Sequence, residues 1–182
     1  WHSMYDPVDV PMPLRREGEL DDLPFFYRRV YEQGMPLSGR FGPTRMRDEQ
    51  LREILALTYG MISHVDHNLG RVLDALERLD LRETTIVCFL SDHGDMMGDH
   101  WIINKGPFHL NGLLSMPFLW SCPGLFPEGV VSNGLVSYLD FAPTILNLAD
   151  VPVPEGLAPP EPEAAQQLAP WPGISFEPQL RG

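Results

Sequence analysis

Residues 84–122 read TTIVCFLSDHGDMMGDHWIINKGPFHLNGLLSMPFLWSC, and this stretch decides the expected fold. It opens with an apolar run over 86–90, whose β-branched and aromatic residues are typical of a strand buried on both faces. The run ends at Asp92, His93 and Gly94. Because open α/β sheets bind their ligands at the carboxyl ends of their strands, we expect Asp92 and His93 to lie at a functional site.

A lysine follows this pair at a short distance along the chain. Lys105 comes twelve residues after His93 and is the only lysine in the sequence. One ammonium beside two side chains that can bind a metal favours an anionic substrate with several oxygen atoms. The structural alternatives are an Asp-His pair that caps a turn and a lysine that is simply solvated.

Composition limits the classes of function. The 182 residues suit a single domain, and 43% hydrophobic content is ordinary for a globular protein. A net charge of −12 argues against a nucleic-acid or anionic-membrane surface, so an anion needs a local cation such as Lys105. No apolar run is long enough to span a membrane. Two cysteines are too few for a disulfide framework, and we expect Cys88 to be a buried, reduced thiol.

The rest of the chain divides into segments of different pattern. We expect a long amphipathic helix over 48–79, because its apolar residues recur at spacings of three and four. Shorter elements are expected on either side of it: an extended surface connection over 1–24, a helix over 24–33, a loop over 34–43, strands over 84–91, 116–121 and 135–139, a helix over 140–148 with Asp140 as N-cap, and a proline-rich mobile loop over 151–172. The helix followed by strand 84–91 is half of a right-handed α/β unit.

Four motifs, in order, resemble the sulfatases of the alkaline-phosphatase superfamily, in the subgroup with Asp-His rather than Asp-Asn at the metal site. They are Ser91-Asp92-His93-Gly94-Asp95, Gly98-Asp99-His100, Asn104-Lys105-Gly106-Pro107-Phe108-His109 and Met116-Pro117-Phe118-Leu119. Stretches at 4–11, 59–73, 136–144 and 173–182 also resemble family elements, so the resemblance covers nearly the whole chain. It implies an α/β fold with a mostly parallel sheet flanked by helices. The 182 residues are then expected to be a single partial domain, the second half of the catalytic domain.

The resemblance also implies an activity, the hydrolysis of sulfuric esters. It makes Asp92 and His93 metal ligands, for calcium in most sulfatases and for manganese or similar ions in some relatives; Mg²⁺ and Zn²⁺ also fit a carboxylate and an imidazole. Lys105 becomes the residue that contacts the substrate sulfate and stabilises charge in the transition state. His109 is a candidate proton donor, because histidine is the side chain that most often serves in general acid–base catalysis.

The nucleophile that the resemblance implies is a formylglycine made from Cys or Ser in a Cys/Ser-X-Pro-X-Arg motif. The chain lacks that motif, because Cys88 is followed by Phe-Leu and Cys122 by Pro-Gly. Two further acidic metal ligands are also expected upstream. We therefore expect the isolated chain to be inactive and its parent to cleave a small-molecule or carbohydrate sulfate ester.

Other interpretations stay open at the level of sequence. The parent is alternatively a phosphodiester or phosphonate monoester hydrolase of the same superfamily, or an inactive sulfatase-like binding protein. Asp95, Asp99 and His100 form a rival metal set, Asn104 and Asn111 are further candidate substrate contacts, and the His64, Asp66 and His67 group in the long helix is interpreted as structural. The sequence does not indicate the particular ester, the compartment or the oligomeric state.

Overall fold

The structure is a computed structural model that describes residues 1–34, 46–153, 156–157, 169–170 and 172–181. The α-helices of this part are α1 (Glu19–Asp22), α2 (Phe25–Gln33), α3 (Asp48–Arg78), α4 (Asn111–Leu114), α5 (Phe141–Leu148) and α6 (Glu177–Arg181). The strands are β1 (Val87–Leu90), β2 (Phe118–Ser121), β3 (Gly156–Leu157) and β4 (Ala169–Pro170). Single 3₁₀ turns lie at Arg82–Thr84, Asp99–Trp101 and Tyr138–Asp140. None of the helices described is both long and apolar enough to cross a membrane.

Helix α3 confirms the long amphipathic helix that the apolar spacing predicts. Acidic Asp48 and Glu49 occupy its first turn and Arg78 its last, which complements the helix dipole. Its first half is buried through Leu51, Leu55, Ala56 and Gly60. The same apolar stripe continues through Met61, Val65 and Val72, which are 60%, 54% and 56% exposed. Much of the stripe is therefore uncovered in its second half.

The chain divides into two compact units, of which the first comprises residues 1–80 and 88–119. Its core consists of two clusters of buried side chains. One cluster joins α2 to the segment after β1, and its buried members are Tyr27, Val30, Met96, Ile102, Phe108 and Leu113. The other joins the N-terminal segment to α3, and its buried members are Val10, Leu51, Leu55 and Ala56. Both the segment that leads away from β1 and the N-terminal segment are thus anchored in this unit.

The second unit comprises residues 81–87 and 120–182. Its described core gathers aromatic rings, with the Trp120 ring centroid 5.6 Å from those of Phe141 and Phe176. Thr144 is fully buried in α5, where its hydroxyl donates to the Asp140 carbonyl (2.7 Å) and accepts from the Phe176 N–H (3.0 Å). These bonds tie α5 to the segment that precedes α6.

The sheets are smaller than the sequence predicts. β1 pairs with β2, and β3 pairs with β4 in a two-residue antiparallel ladder. The described residues therefore do not confirm the mostly parallel sheet. β1 is partly buried at all four positions, so both of its faces are covered, but less completely than the sequence predicts.

Three shorter predictions also need correction. Residues 1–24 are not simply an extended surface connection, because Val10 is buried against α3 and Glu19 is buried in α1. Residues 135–139 form no strand: Ser137 and Asp140 instead make a capping box, which turns the chain into a 3₁₀ turn. Asp140 is the N-cap residue of α5, but its carboxylate accepts from Ser137 and Ile174 rather than from the helix.

Two predicted loops lie mostly outside the described residues. The loop over 34–43 is described only at Gly34. Of the proline-rich segment over 151–172, the structure describes 151–153, 156–157, 169–170 and 172, which include the β3–β4 ladder.

Candidate active site

A closed loop brings Lys105 back to His93. Within it the Met96 N–H donates to the Asn104 carbonyl (3.1 Å), and the Gly98 N–H donates to the Ile102 carbonyl (2.8 Å). The chain therefore leaves β1, runs out to Asp99 and returns. Met96 and Ile102, both almost fully buried, anchor its two arms in the core. As a result the lysine ends beside a residue twelve positions earlier.

Asp95 closes the base of this loop. One of its carboxylate oxygens accepts from the Met97 N–H (2.9 Å) and from the Asn104 N–H (3.0 Å). The bond to residue i+2 is an Asx-turn, in which an aspartate side chain accepts from the backbone two residues further on. The sequence suggests Asp95 only as a member of a rival metal set, whereas in the structure its carboxylate closes the loop that carries Lys105.

The His93 ring has a defined tautomer. Its Nδ1 lies 2.7 Å from the Gly94 carbonyl, which can only accept, so Nδ1 carries the proton. In the neutral ring Nε2 then presents its lone pair. The Lys105 ammonium lies 2.6 Å from Nε2 and donates to it. A backbone carbonyl that fixes one ring nitrogen while the other faces the site is a common arrangement around metal-binding histidines.

Asp92 lies next to the same nitrogen. Its Oδ2 atom is 3.4 Å from His93 Nε2, and its Oδ1 accepts from the His93 backbone N–H (3.0 Å). Donors that bind one ion at about 2.0–2.4 Å and at roughly right angles lie about 3 Å apart. The pair thus fits two positions of a metal's coordination shell. The Asp92 side chain is 84% exposed and that of His93 39%, which leaves room for further ligands.

Two side chains that are able to bind a metal do not by themselves make a complete metal site. In the parts of the chain that the structure describes, no three histidine, cysteine, aspartate or glutamate side chains gather into a metal-binding cluster. The rival set is used elsewhere: Asp99 accepts from the Leu14 N–H (2.8 Å), and His100 pairs with Glu19 (3.2 Å). These contacts favour a structural role for both.

The remaining predicted site residues are less well placed. His109 and Asn111 are exposed, and Asn104 is partly exposed with its backbone engaged in the loop. No hydrogen bond or ion pair found among the described residues joins His109 to Asp92, His93 or Lys105. The participation of His109 in catalysis therefore stays a prediction.

The histidines of α3 lie apart from this arrangement. The Trp1 ring lies against both of them, 5.4 Å from His64 and 5.5 Å from His67 between centroids. An aromatic side chain that packs over two imidazoles fits the structural interpretation of this group.

The two cysteines are both free thiols. Burial raises the pKa of the Cys88 thiol to about 11, so the thiol stays protonated at neutral pH. A protonated, partly buried thiol is a poor nucleophile. This supports the view that neither the position nor the chemistry of Cys88 suits an attack on a substrate.

Curated relatives match over much of the chain. An arylsulfatase of Clostridium perfringens is 38% identical over 111 residues, covering 59% of this chain and 23% of its own length. Arylsulfatase K of Canis lupus familiaris is 34% identical over 156 residues, covering 85% of this chain and 26% of its own. The chain thus spans about a quarter of the length of these relatives.

Solved structures of similar fold also match the chain. A phosphonate monoester hydrolase from Silicibacter pomeroyi superposes with a TM-score of 0.75 at 26% identity, covering 99% of this chain and 33% of its own. A structure solved in complex with its substrate D-glucosamine-2-N,6-O-disulfate superposes with a TM-score of 0.62 at 25% identity, covering 87% of this chain and 27% of its own. The family model for sulfatases matches residues 24–151. The chain belongs to the sulfatase family.

Proposed function

We propose that this chain supplies part of the active site of a metal-dependent sulfuric ester hydrolase, in which Asp92 and His93 bind a divalent cation and Lys105 binds the sulfate group. The observation that carries the proposal is the convergence of these three groups. The Asp92 carboxylate and the Lys105 ammonium both approach the lone pair of His93 Nε2, at 3.4 Å and 2.6 Å. Such a grouping offers an anion two kinds of positive charge in one place.

The division of labour follows from the chemistry of each group. Asp92 and His93 would hold the divalent cation, which would polarise the oxygens of the ester and stabilise developing charge on them. Asp92 lowers the net charge of the cation site and helps to hold the ion, while the Gly94 carbonyl keeps Nε2 of His93 available. With a metal on that nitrogen, the Lys105 ammonium would be free to bind the anion instead, because its four-carbon stem is flexible.

We infer that the remaining parts of the site lie outside this chain. These are the nucleophile, for which formylglycine is the proposal, and the other metal ligands. The family's common ion, calcium, is the proposed metal, with manganese or magnesium as alternatives because an imidazole nitrogen is among the donors. The incomplete ligand set and the coverage of about a quarter of the arylsulfatases support this division.

The proposed substrate is a sulfate ester of a small molecule or a carbohydrate. The arylsulfatase relatives and the structural neighbour bound to a disulfated glucosamine support it. A phosphonate monoester hydrolase is the second candidate, because a structure of that activity superposes over 99% of the chain. Sulfate and phosphonate monoesters are both tetrahedral anions, so the same metal and lysine suit either.

One experiment compares two variants of the longer protein that carries this chain. Asp92→Ala removes a charged ligand, so we expect metal content to fall and added metal to restore part of the activity. Lys105→Ala leaves the metal in place, so we expect kcat for an aryl sulfate to fall about 10²–10³-fold without rescue by metal. Lys105→Arg should recover only part of the loss, because a planar guanidinium does not reproduce a compact ammonium.

The outcome that contradicts the assignment of Lys105 is near-parental kcat in Lys105→Ala. The outcome that contradicts the assignment of Asp92 is full metal content in Asp92→Ala. The two candidate activities are separated by measuring kcat/KM for 4-nitrophenyl sulfate and for a 4-nitrophenyl phosphonate monoester with the unmodified protein. A higher value for the sulfate is the expected result.

A further inference from the structure

The loop that carries Lys105 back to His93 has an unusual backbone. Four of its non-glycine residues have left-handed φ values: Met97 (45°), His100 (52°), Trp101 (65°) and Asn104 (67°). Residues with a Cβ rarely adopt this region without support from their surroundings. Contacts from outside the loop must therefore maintain its shape, and with it the position of Lys105.

Residues 14–19, here called the strap, make these contacts. Leu14 exchanges two hydrogen bonds with the loop, donating to Asp99 Oδ1 (2.8 Å) and accepting from the His100 N–H (3.0 Å). The Trp101 indole N–H donates to the Arg16 carbonyl (3.1 Å). The Arg15 guanidinium lies over the same indole, 4.5 Å from the ring centroid. The strap thus holds the Asp99–Trp101 turn at several points.

Glu19 is the most deeply buried member of the strap. Its side chain is 10% exposed, and its Oε2 lies 3.2 Å from His100 Nδ1. Its other carboxylate oxygen is buried and has no hydrogen-bond partner among the described residues. A half-satisfied buried carboxylate contributes little to stability, and an apolar side chain of similar size is often as stable or more so. Stability alone thus gives no reason for a glutamate at this position.

We propose that Glu19 is a positioning residue: through His100 it fixes the left-handed turn of the loop and so sets the Lys105 ammonium beside His93. Only the catalytic importance of this position depends on the proposed function, in which Lys105 binds the sulfate group. The positioning itself is a statement about this chain and is tested without turnover.

The test uses the fact that Lys105 is the only lysine. In the 182-residue chain labelled with ¹³C at lysine Cε, a single signal reports the environment of Lys105. In the wild-type chain we expect this signal to be displaced from that of a solvated lysine, because the ammonium lies against the His93 ring. In Glu19→Met, which keeps the length of the side chain but removes its oxygens, we expect the signal to move to the solvated position.

Glu17→Met is the matched control, since it removes the same charge from an exposed residue of the strap. The Lys105 signal of Glu17→Met should have the same chemical shift as that of the wild-type chain. His100→Asn is a second variant, because asparagine tolerates a left-handed φ but lacks the ring that Glu19 holds. It should reproduce the Glu19→Met shift. If the Lys105 signal keeps its wild-type chemical shift in both Glu19→Met and His100→Asn, the proposal is overturned.

The longer protein supplies a separate readout. There we expect Glu19→Met to lower kcat for an aryl sulfate roughly 10–100-fold, because a displacement of a catalytic group by about 1 Å costs that much. The metal content should remain that of the wild type, because Asp92 and His93 precede the loop. Parallel loss of metal and activity would contradict a role confined to positioning Lys105. Near-parental kcat in Lys105→Ala would instead count against the proposed function. It would not bear on the positioning of Lys105 by Glu19, which the NMR signal tests separately.

Discussion

At the scale of single residues, the site depends on which nitrogen of His93 carries the proton. The Gly94 carbonyl takes the Nδ1 proton, so Nε2 faces both Asp92 and Lys105. The sequence motif predicts that Asp92, His93 and Lys105 belong together, and the distances agree with that grouping. It does not predict the tautomer, because the carbonyl that sets it belongs to the backbone of a turn.

The Cys88 thiol allows a prediction about reactivity. Its pKa is raised from 9.0 to about 11 by burial. At pH 8 the thiolate fraction, and hence the rate of alkylation by iodoacetamide, should be about a hundredfold lower than for an unfolded thiol. The measurement is the rate at Cys88 in the Cys122→Ala chain, with and without urea. Equal rates in the two conditions would contradict the burial of this thiol.

The same shift predicts a pH dependence of folding. Because the folded pKa lies above the unfolded value, the folded state retains a proton that the unfolded state loses. The contribution of Cys88 to the free energy of unfolding is therefore full below pH 9 and is lost as pH rises from about 9 to about 11. Urea unfolding at pH 8 and pH 10.5 should show a larger loss in the wild-type chain than in Cys88→Ala. An identical loss in both proteins would disprove this linkage.

At the scale of elements, periodicity predicts α3 well and the β elements poorly. Thirty-one residues of regular apolar spacing outweigh Gly60 and Gly70, so the helix was predictable from local sequence. β1 and β2 are four residues each, and their burial depends on segments distant in sequence. The hydrogen bonds between the strap and the Asp99–Trp101 turn could not be predicted from local sequence either, because they join residues more than eighty positions apart.

The two glycines inside α3 provide a matched pair of substitutions. A Cβ at Gly70 meets nothing within 4 Å, so Gly70→Ala should stabilise the chain by about 1 kcal/mol through helix propensity. A Cβ at Gly60 collides with the backbone carbonyl of Trp1, so Gly60→Ala should destabilise the chain in spite of the same propensity gain. Urea unfolding of both variants measures the difference. Equal stabilisation by the two substitutions would show that Trp1 does not pack at Gly60.

The base of the loop that carries Lys105 gives a second prediction for an element. Asp95→Ala removes the acceptor of two backbone N–H groups, at Met97 and Asn104. We expect it to lower the free energy of unfolding by about 2 kcal/mol. Asp95→Asn, which keeps one oxygen acceptor, should lose less. If the urea midpoint of unfolding is the same for Asp95→Ala as for the wild-type chain, the carboxylate does not hold the loop closed.

At the scale of the whole molecule, the chain belongs to the sulfatase family and spans only part of the length of its relatives. The family model covers residues 24–151, and the chain spans about a quarter of its arylsulfatase relatives. Its Asp92-His93 pair offers two side chains that are able to bind a metal. The apolar side chains exposed along the second half of α3 are more numerous than a fully solvated helix surface needs. Motif order along the whole sequence predicted the family, which no single motif would have done.

The proposed division of the active site predicts the behaviour of the isolated chain. We expect residues 1–182 to show no measurable hydrolysis of aryl sulfates, because we propose that the nucleophile and the further metal ligands lie outside them. The assay is release of 4-nitrophenol by the purified chain with added Ca²⁺ or Mn²⁺. Turnover that a chelator abolishes and Asp92→Ala lacks would mean that the chain contains a complete site.

The measurement that tests the central claim most directly is crystallographic. Crystals of the longer protein, grown with Mn²⁺ and inorganic sulfate, locate the metal by its anomalous scattering. We expect one ion bound by an Asp92 carboxylate oxygen and by His93 Nε2 at about 2.0–2.4 Å, with the Lys105 ammonium turned to a sulfate oxygen. A metal bound elsewhere, or a Lys105 that remains on His93 or points into solvent while sulfate occupies the site, would contradict the account.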